Sequence, residues 1–317
     1  MAAHHPQPVQ APVRAGLRSS LRLSAGLLPL LVVAFVALNF RPSATAPALP
    51  GSMARTAAPD GIRAAAGADP RSRLNGAAAA VEAALGNSGH GFSFQVVSRS
   101  TLVAKPGGPK IEVPDPIDPQ KTLGLADEYY VGASIAEGVV TPNGYFLQMR
   151  KGPDTKDAAP DFVNAERTLA ALIVGGKTYR NDGDGWYETD SPPGIGLDRR
   201  TAALLPKLLR ESTGAVPGGP RSVRGQTMAS VRSSGKVADA PGLMGIDAEA
   251  FTEFVGPIDF AIDGTGKLAE LHVVMRNTRQ EVFDLLVDTV VTFDFGQPGP
   301  LPEPVPGWSP PPPPSDN

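Results

Sequence analysis

The first strong feature of the hydrophobic pattern is an apolar segment, residues 23–40, that contains no charged side chain. A helix of about 18 residues rises roughly 27 Å, close to the thickness of the hydrocarbon core of a bilayer. Arg14, Arg18 and Arg22 precede the segment, and positive charge is retained on the cytoplasmic side of a membrane. The pattern therefore predicts one membrane-crossing segment, with the N-terminus in the cytoplasm and the remainder of the chain outside it.

Two fates of this segment fit the sequence. Ala44 and Ala46 provide the small side chains that a signal-peptide cleavage site requires. Pro47 would directly follow the cut, however, and signal peptidase tolerates proline poorly at that position. We therefore favour an uncleaved membrane anchor. The alternative is a cleaved signal peptide and a secreted protein.

After residue 73 the apolar period predicts a helix and then a succession of strands. Leu74, Ala78 and Val81 follow helical spacing and predict a helix over 73–85. The period then falls to two, which is typical of half-buried strands. These strands are predicted at 92–96, 127–139, 144–150, 167–174, 177–180, 186–189, 221–232, 257–263, 267–276 and 285–295.

Two further segments interrupt this series of strands. Residues 105–126 contain five prolines, which remove backbone donors, and are expected to form a long loop. Residues 197–209 return to helical spacing, and Pro206 is expected to kink or split that helix. Helices combined with hairpin-linked strands predict an α+β fold with one large curved antiparallel sheet and its helices on one face.

These patterns divide the chain into five segments. Residues 1–22 are a cytoplasmic N-terminal segment, and residues 23–40 are a transmembrane anchor or signal segment. Residues 41–73, rich in Ala, Pro, Gly and Arg, are a flexible tether. Residues 74–300 form the folded domain outside the cytoplasm, and residues 301–317 form a disordered proline-rich tail.

Composition excludes several classes of function. The chain contains no cysteine, which excludes disulfides, thiolate metal sites, a cysteine nucleophile and a lipid-modified cysteine. All 32 acidic residues follow residue 59, so the exported part is acidic and repels a phosphate backbone. We therefore expect no nucleic-acid partner.

Few residues suit catalysis or metal binding. Only His90 and His272 follow the apolar segment, and no closely spaced histidine pair occurs. The acidic loop 181–185 lacks the glutamate spacing of an EF-hand, so we favour a hairpin turn over a calcium site. Gly194 and Gly196 lack the third glycine of a dinucleotide-binding turn. We expect no enzyme, no metal and no cofactor.

Four stretches of the domain resemble the LolA-like superfamily, in particular its LppX/LprA/LprF/LprG branch. They are the hairpin Val174-Gly175-Gly176-Lys177-Thr178-Tyr179 followed by Gly185-Trp186-Tyr187, the strand Val223-Arg224-Gly225-Gln226-Thr227, the hairpin 260–268 and the final strand 291–298. The resemblance covers roughly residues 75–305. It implies a half-barrel sheet wrapped around helices, with an apolar cavity for acyl chains between them. The chain departs from that branch in lacking the lipidated cysteine and in its long loop around Asp115 and Asp118.

The candidate ligand-binding residues are apolar positions that alternate to one side of the strands, together with two leucines of the second helix. They are Phe92, Phe94, Val96, Tyr145, Leu147, Met149, Leu169, Ala171, Ile173, Leu204 and Leu208. The residues alone favour a filled core, and it is the resemblance that implies a cavity. We expect a non-enzymatic, membrane-tethered carrier or chaperone that binds a lipid or another apolar small molecule. The alternative is a sensory or regulatory domain that binds a protein partner.

Overall fold

We describe a computed structural model of the 317-residue chain. The structure describes residues 69–86, 88–115, 118, 121–182, 185–190, 202–233, 253–277, 282–298 and 300–303. The predictions for residues 1–22 and 23–40, for most of the tether and for residues 304–317 lie outside this part of the chain. Within it, neither helix has the length and apolar character needed to cross a bilayer.

The first helix, α1, runs from Pro70 to Leu85 and begins three residues before the predicted start. Asp69 causes the earlier start, because its carboxylate accepts a hydrogen bond from the Ser72 N–H at 3.0 Å, which caps the first turn. Pro70 occupies the first turn, where its missing N–H costs nothing. The buried stripe of α1 consists of Leu74, Ala77, Ala78 and Val81.

The second helix, α2, runs from Leu205 to Glu211. Pro206 lies in its first turn, and α2 is separated by a turn at residues 203–204 from the helical residue Ala202. Residues 191–201, which the sequence assigned partly to this helix, lie outside the described residues. The two helices are joined by an ion pair between Arg210 and Glu82.

The described residues contain fourteen strands. In chain order they are β1 (Phe92–Ala104), β2 (Ile111–Pro114), β3 (Thr122–Ala126), β4 (Glu128–Thr141), β5 (Gly144–Lys151), β6 (Arg167–Val174), β7 (Lys177–Asn181), β8 (Tyr187–Glu188), β9 (Val216–Val223), β10 (Gln226–Ser233), β11 (Glu253–Phe254), β12 (Ile258–Ile262), β13 (Leu268–Asn277) and β14 (Phe283–Asp294).

Twelve of these strands form one antiparallel sheet in the order β8-β7-β6-β5-β4-β1-β14-β13-β12-β10-β9, with β11 paired to β13 beside this path. Since no pairing joins β8 to β9 in the described residues, the sheet is open. Helix α1 packs against β4, β9, β10 and β13, and α2 packs against α1. The prediction of an α+β fold with a large antiparallel sheet and helices on one face is confirmed. We call the face against the helices the inner face and the opposite one the outer face.

Two segments differ from the sequence prediction in their hydrogen bonding. The predicted loop 105–126 contains the hairpin β2–β3, because Ile111 is buried and pairs with Ala126 while Pro114 stands at a strand end. The predicted single strand 221–232 is part of the hairpin β9–β10. Its turn is made by Arg224 and Gly225, whose φ angles are 51° and 78°, as a type I′ turn requires.

After β14 the structure describes residues 295–298 and 300–303. Among them, Leu301 packs against a small apolar cluster on the outer face. The contact depends on the path of the chain after β14 and not on any local pattern in the tail.

Candidate ligand-binding face

The inner face of the sheet carries three apolar rows that run across neighbouring strands. The first row contains Phe92, Val140, Tyr145 and Ile173; the second contains Phe293, Phe94, Gly138, Leu147 and Ala171; the third contains Val291, Val96, Ala136, Met149 and Leu169. All nine strand residues that the sequence selected lie in these rows. Their period-two spacing therefore placed them on one face, as strand geometry requires.

Most of the selected residues are packed against one another and against the helices. Phe92, Phe94, Tyr145, Leu147, Ala171 and Leu208 belong to the central core. The core also takes in the helix residues Leu74, Val81 and Leu205. In this part of the inner face the side chains fill the space between sheet and helices.

The remaining selected residues form the border of that core. Val96, Met149, Ile173 and Leu204 pack against it but are only half-buried, whereas Leu169 is 6% exposed. Two of these half-buried side chains, Val96 and Met149, lie in the third row, on either side of the small side chain of Ala136.

A polar row limits the apolar surface. Beyond the third row, Thr289, Ser98, Ser134 and Lys151 follow one another across β14, β1, β4 and β5. The hydroxyl oxygens of Ser98 and Thr289 lie 3.0 Å apart and share a hydrogen bond. Lys151 forms an exposed ion pair with Asp154 at 2.9 Å. The inner face thus changes from apolar to polar within a single step along the strands.

Glycines provide a local feature that the sequence analysis missed. A Cβ atom at Gly138 would lie 2.6 Å from Cζ of Phe94, so the aromatic ring fills the place of a side chain there. A Cβ atom at Gly132, farther along β4, would meet nothing within 4 Å. The second row is therefore tightly filled, and the far end of β4 is open.

Two cavities in the described part of the chain lie away from the selected residues. One, of about 480 Å³, lies between His90, the turn at 141–143 and residues after β14, namely Gln297, Pro298, Pro300 and Leu301. The other, of about 360 Å³, lies on the outer face between Arg221, Arg232 and Asp259. Neither is lined by a residue that the sequence selected for the ligand cavity.

The cavity on the outer face belongs to a network of charges. Arg221 contacts the carboxylates of Asp259 at 3.1 Å and Glu270 at 2.9 Å, and Arg232 contacts Asp259 at 2.9 Å. His272 is half-buried in this network. Its Nε2 lies 2.9 Å from Oδ1 of Asp288, and this hydrogen bond holds the pKa of the Asp288 carboxyl below its usual value. Opposite charges are paired throughout, as expected for a structural network.

In the acidic turn that was considered for calcium, the carboxylate of Asp182 is hydrogen-bonded to neighbouring side chains. Asp182 accepts hydrogen bonds from Nε of Arg180 at 2.6 Å and from the Tyr187 hydroxyl at 2.7 Å. Burial, together with this hydrogen bond, raises the pKa of Tyr187 to about 12. Gly183 and Asp184 lie outside the described residues, and within the described ones no three acidic or histidine side chains converge.

Comparison with known proteins gives structural matches of low similarity. No family model matches the chain, and neither does any curated protein sequence. Among solved structures, LprF from Mycobacterium bovis is similar at 12% identity and a TM-score of 0.43, over 74% of this chain and 96% of that one. MucB in complex with MucA(peri) is similar at 11% identity and a TM-score of 0.28, over 74% of this chain and 57% of that one.

A third solved structure is the LolA superfamily protein NE2245 from Nitrosomonas europaea. It is similar at 9% identity and a TM-score of 0.22, over 71% of this chain and 93% of that one. All of these TM-scores are below 0.5, so the fold described above depends on the strand pairings of this chain alone.

Proposed function

We propose that the inner face of the sheet binds an apolar ligand, an acyl chain in particular, and that the protein acts as a non-enzymatic carrier or chaperone outside the cytoplasm. The observation that supports this proposal is the third inner row. Val96 and Met149 are large apolar side chains of this row that stay only half-buried at the border of the core. Accessible apolar surface of this kind is favourable to cover.

The accessible part of the third row suits a hydrocarbon segment. It extends from Val96 on β1 to Met149 on β5, because Val291 and Leu169 at the ends of the row are buried. At about 4.8 Å between neighbouring strands, this stretch spans roughly 10 Å. Each methylene group that the row takes out of water contributes about 0.8 kcal/mol before the entropy of binding is subtracted.

The polar row gives the ligand a direction. A hydrocarbon chain that lies along the third row has the Ser98 and Ser134 hydroxyl groups directly beside it. These groups, with Lys151 at the edge, suit the polar end of an amphipathic lipid because they donate hydrogen bonds. We therefore propose an acyl ligand with a polar head group.

Neighbouring valines in β1 offer a matched test. Val96 faces inward and Val97 faces outward, and both are half-buried. In the full chain, Val96→Lys places a charge on the third row and is expected to abolish saturable binding of a fluorescent fatty acid. Val97→Lys places the same charge on the outer face and should leave binding unchanged.

The test requires folded protein in every arm. Organic-solvent extraction of the purified full chain, followed by mass spectrometry, gives an independent measure of bound lipid. Equal binding by the two variants would exclude the inner face as the site. If folded wild-type protein carries no lipid and binds no fatty acid, the proposal fails, and a domain that binds a protein partner becomes the better hypothesis.

A further inference from the structure

A second apolar cluster lies on the outer face, away from the proposed lipid site. Phe146, Leu172 and Tyr179 form a cross-strand row on β5, β6 and β7. Phe146 and Leu172 are buried together with Ala170, and Val174, Tyr179, Trp186 and Leu301 pack around them. We call this set of side chains the outer cluster. Because side chains alternate along a strand, it shares no surface with the inner rows.

The segment that supplies Leu301 approaches the outer cluster at Gly144, the first residue of β5. We call residues 297–303 the strap. A Cβ atom at Gly144 would lie 2.4 Å from Cδ1 of Leu301 and 2.5 Å from the backbone oxygen of Ile173. The leucine therefore occupies the space above this glycine, at the edge of the outer cluster.

The strap is attached to the sheet mainly by the packing of Leu301. Its described residues make no hydrogen bond, and Pro298, Pro300 and Pro302 lack the backbone N–H that would donate one. The cavity of about 480 Å³ lies beside the strap, next to Pro298 and Pro300. Leu301 is the contact that joins the strap to the outer cluster.

We infer that the outer cluster is a peptide-binding groove whose ligand is an extended, proline-flanked leucine segment, and that the strap occupies it here in cis. Proline-rich segments are already extended before they bind, so they lose little conformational freedom. Aromatic side chains such as Tyr179 and Trp186 form the grooves that receive them. The same segment supplied in trans, from a second copy of this chain or as a free peptide, competes for the groove.

The experiment uses the full chain and a fluorescent peptide with the sequence of residues 295–305. In the variant Leu301→Asp the strap is expected to leave the groove, and the peptide should bind saturably. Wild-type protein should bind the same peptide at least tenfold more weakly, because its own strap competes at a high effective concentration. A peptide that carries Leu301→Asp should bind neither protein.

Two results would overturn this inference. No peptide binding by folded Leu301→Asp protein would show that the strap is a structural cover only. Equal binding of both peptides would show that the interaction does not depend on the leucine, and it would also overturn the inference. If Leu301→Asp fails to fold, the milder Leu301→Ala replaces it with the same expectations. Fatty-acid binding should be the same in all these proteins, so this test is independent of the proposed lipid site.

Discussion

Gly138 lies directly beneath the ring of Phe94, and a Cβ atom at this glycine would be 2.6 Å from Cζ of the ring and 2.4 Å from the backbone oxygen of Phe146. The two residues face each other across β1 and β4 in the second inner row, and the aromatic ring occupies the space that a side chain at 138 would take. Both contacts are shorter than real Cβ atoms tolerate, and one of them is to backbone.

Gly138→Ala is therefore expected to lower the free energy of unfolding by about 2–3 kcal/mol through overpacking. Gly124→Ala is the matched control. This glycine also lies in a strand, but a Cβ atom there would meet nothing within 4 Å. Urea unfolding of both variants measures the difference. Equal stability of the two would show that Phe94 moves aside without cost.

The cap of α1 gives a second prediction. Asp69 is the N-cap of α1, and its carboxylate accepts a hydrogen bond from the Ser72 N–H at 3.0 Å. Asp69→Ala should lower the free energy of unfolding by about 1 kcal/mol. Asp69→Asn should lower it much less, because asparagine is also a good N-cap. Thermal or urea unfolding measures both. A loss of equal size in the two variants would argue against capping as the cause.

The sequence predicts the inner face well because its signal is local. The alternation of Phe92, Phe94 and Val96 with polar residues is visible within one strand, and burial of one face makes the register strict. The same reasoning identified Met149 as inward-facing. Which of these side chains stay half-exposed depends on where the helices end over the sheet. No local pattern contains that information.

The failures of prediction have a common physical cause. Pro114 suggested a loop, but proline is tolerated at a strand end, and burial of Ile111 stabilises the hairpin β2–β3. Arg224 has a positive φ angle, which arginine rarely adopts. The turn between β9 and β10 therefore lacks the Asn-Gly or Asp-Gly pair that usually marks a two-residue hairpin turn. Leu301 meets Phe146 across a long stretch of sequence. Each case is decided by tertiary contacts.

The pH dependence of stability gives a third prediction. Burial and the hydrogen bond to Asp182 raise the pKa of Tyr187 to about 12 in the folded protein, against about 10 in the unfolded chain. The neutral phenol thus stabilises the fold fully below pH 10, and this contribution is lost as the pH rises from about 10 through 12.

Spectrophotometric titration should show one tyrosine that ionises near pH 12 and that is absent in Tyr187→Phe. Asp182→Asn removes the negative charge beside the phenol, so it should lower the pKa of Tyr187. An unchanged titration curve in Asp182→Asn would show that burial alone sets the pKa.

The last prediction concerns two arginines in facing positions of β5 and β6. Arg150 donates a hydrogen bond to the Ala165 carbonyl at 2.8 Å and lies 3.9 Å from the Glu137 carboxylate. Arg167, opposite it in the strand register, is half-buried, and its side chain forms no hydrogen bond or ion pair with any described residue. Burial and the like charge of Arg150 both lower the pKa of Arg167.

The two substitutions to methionine should therefore have opposite effects on the free energy of unfolding. Arg167→Met removes a partly desolvated charge that has no partner and should stabilise the fold by up to about 1 kcal/mol. Arg150→Met breaks a hydrogen bond and leaves the half-buried Glu137 without its nearest cation, so it should destabilise the fold. Urea unfolding at neutral pH compares them. If Arg167→Met destabilises as much as Arg150→Met, the stem of Arg167 contributes packing that outweighs the cost of its charge.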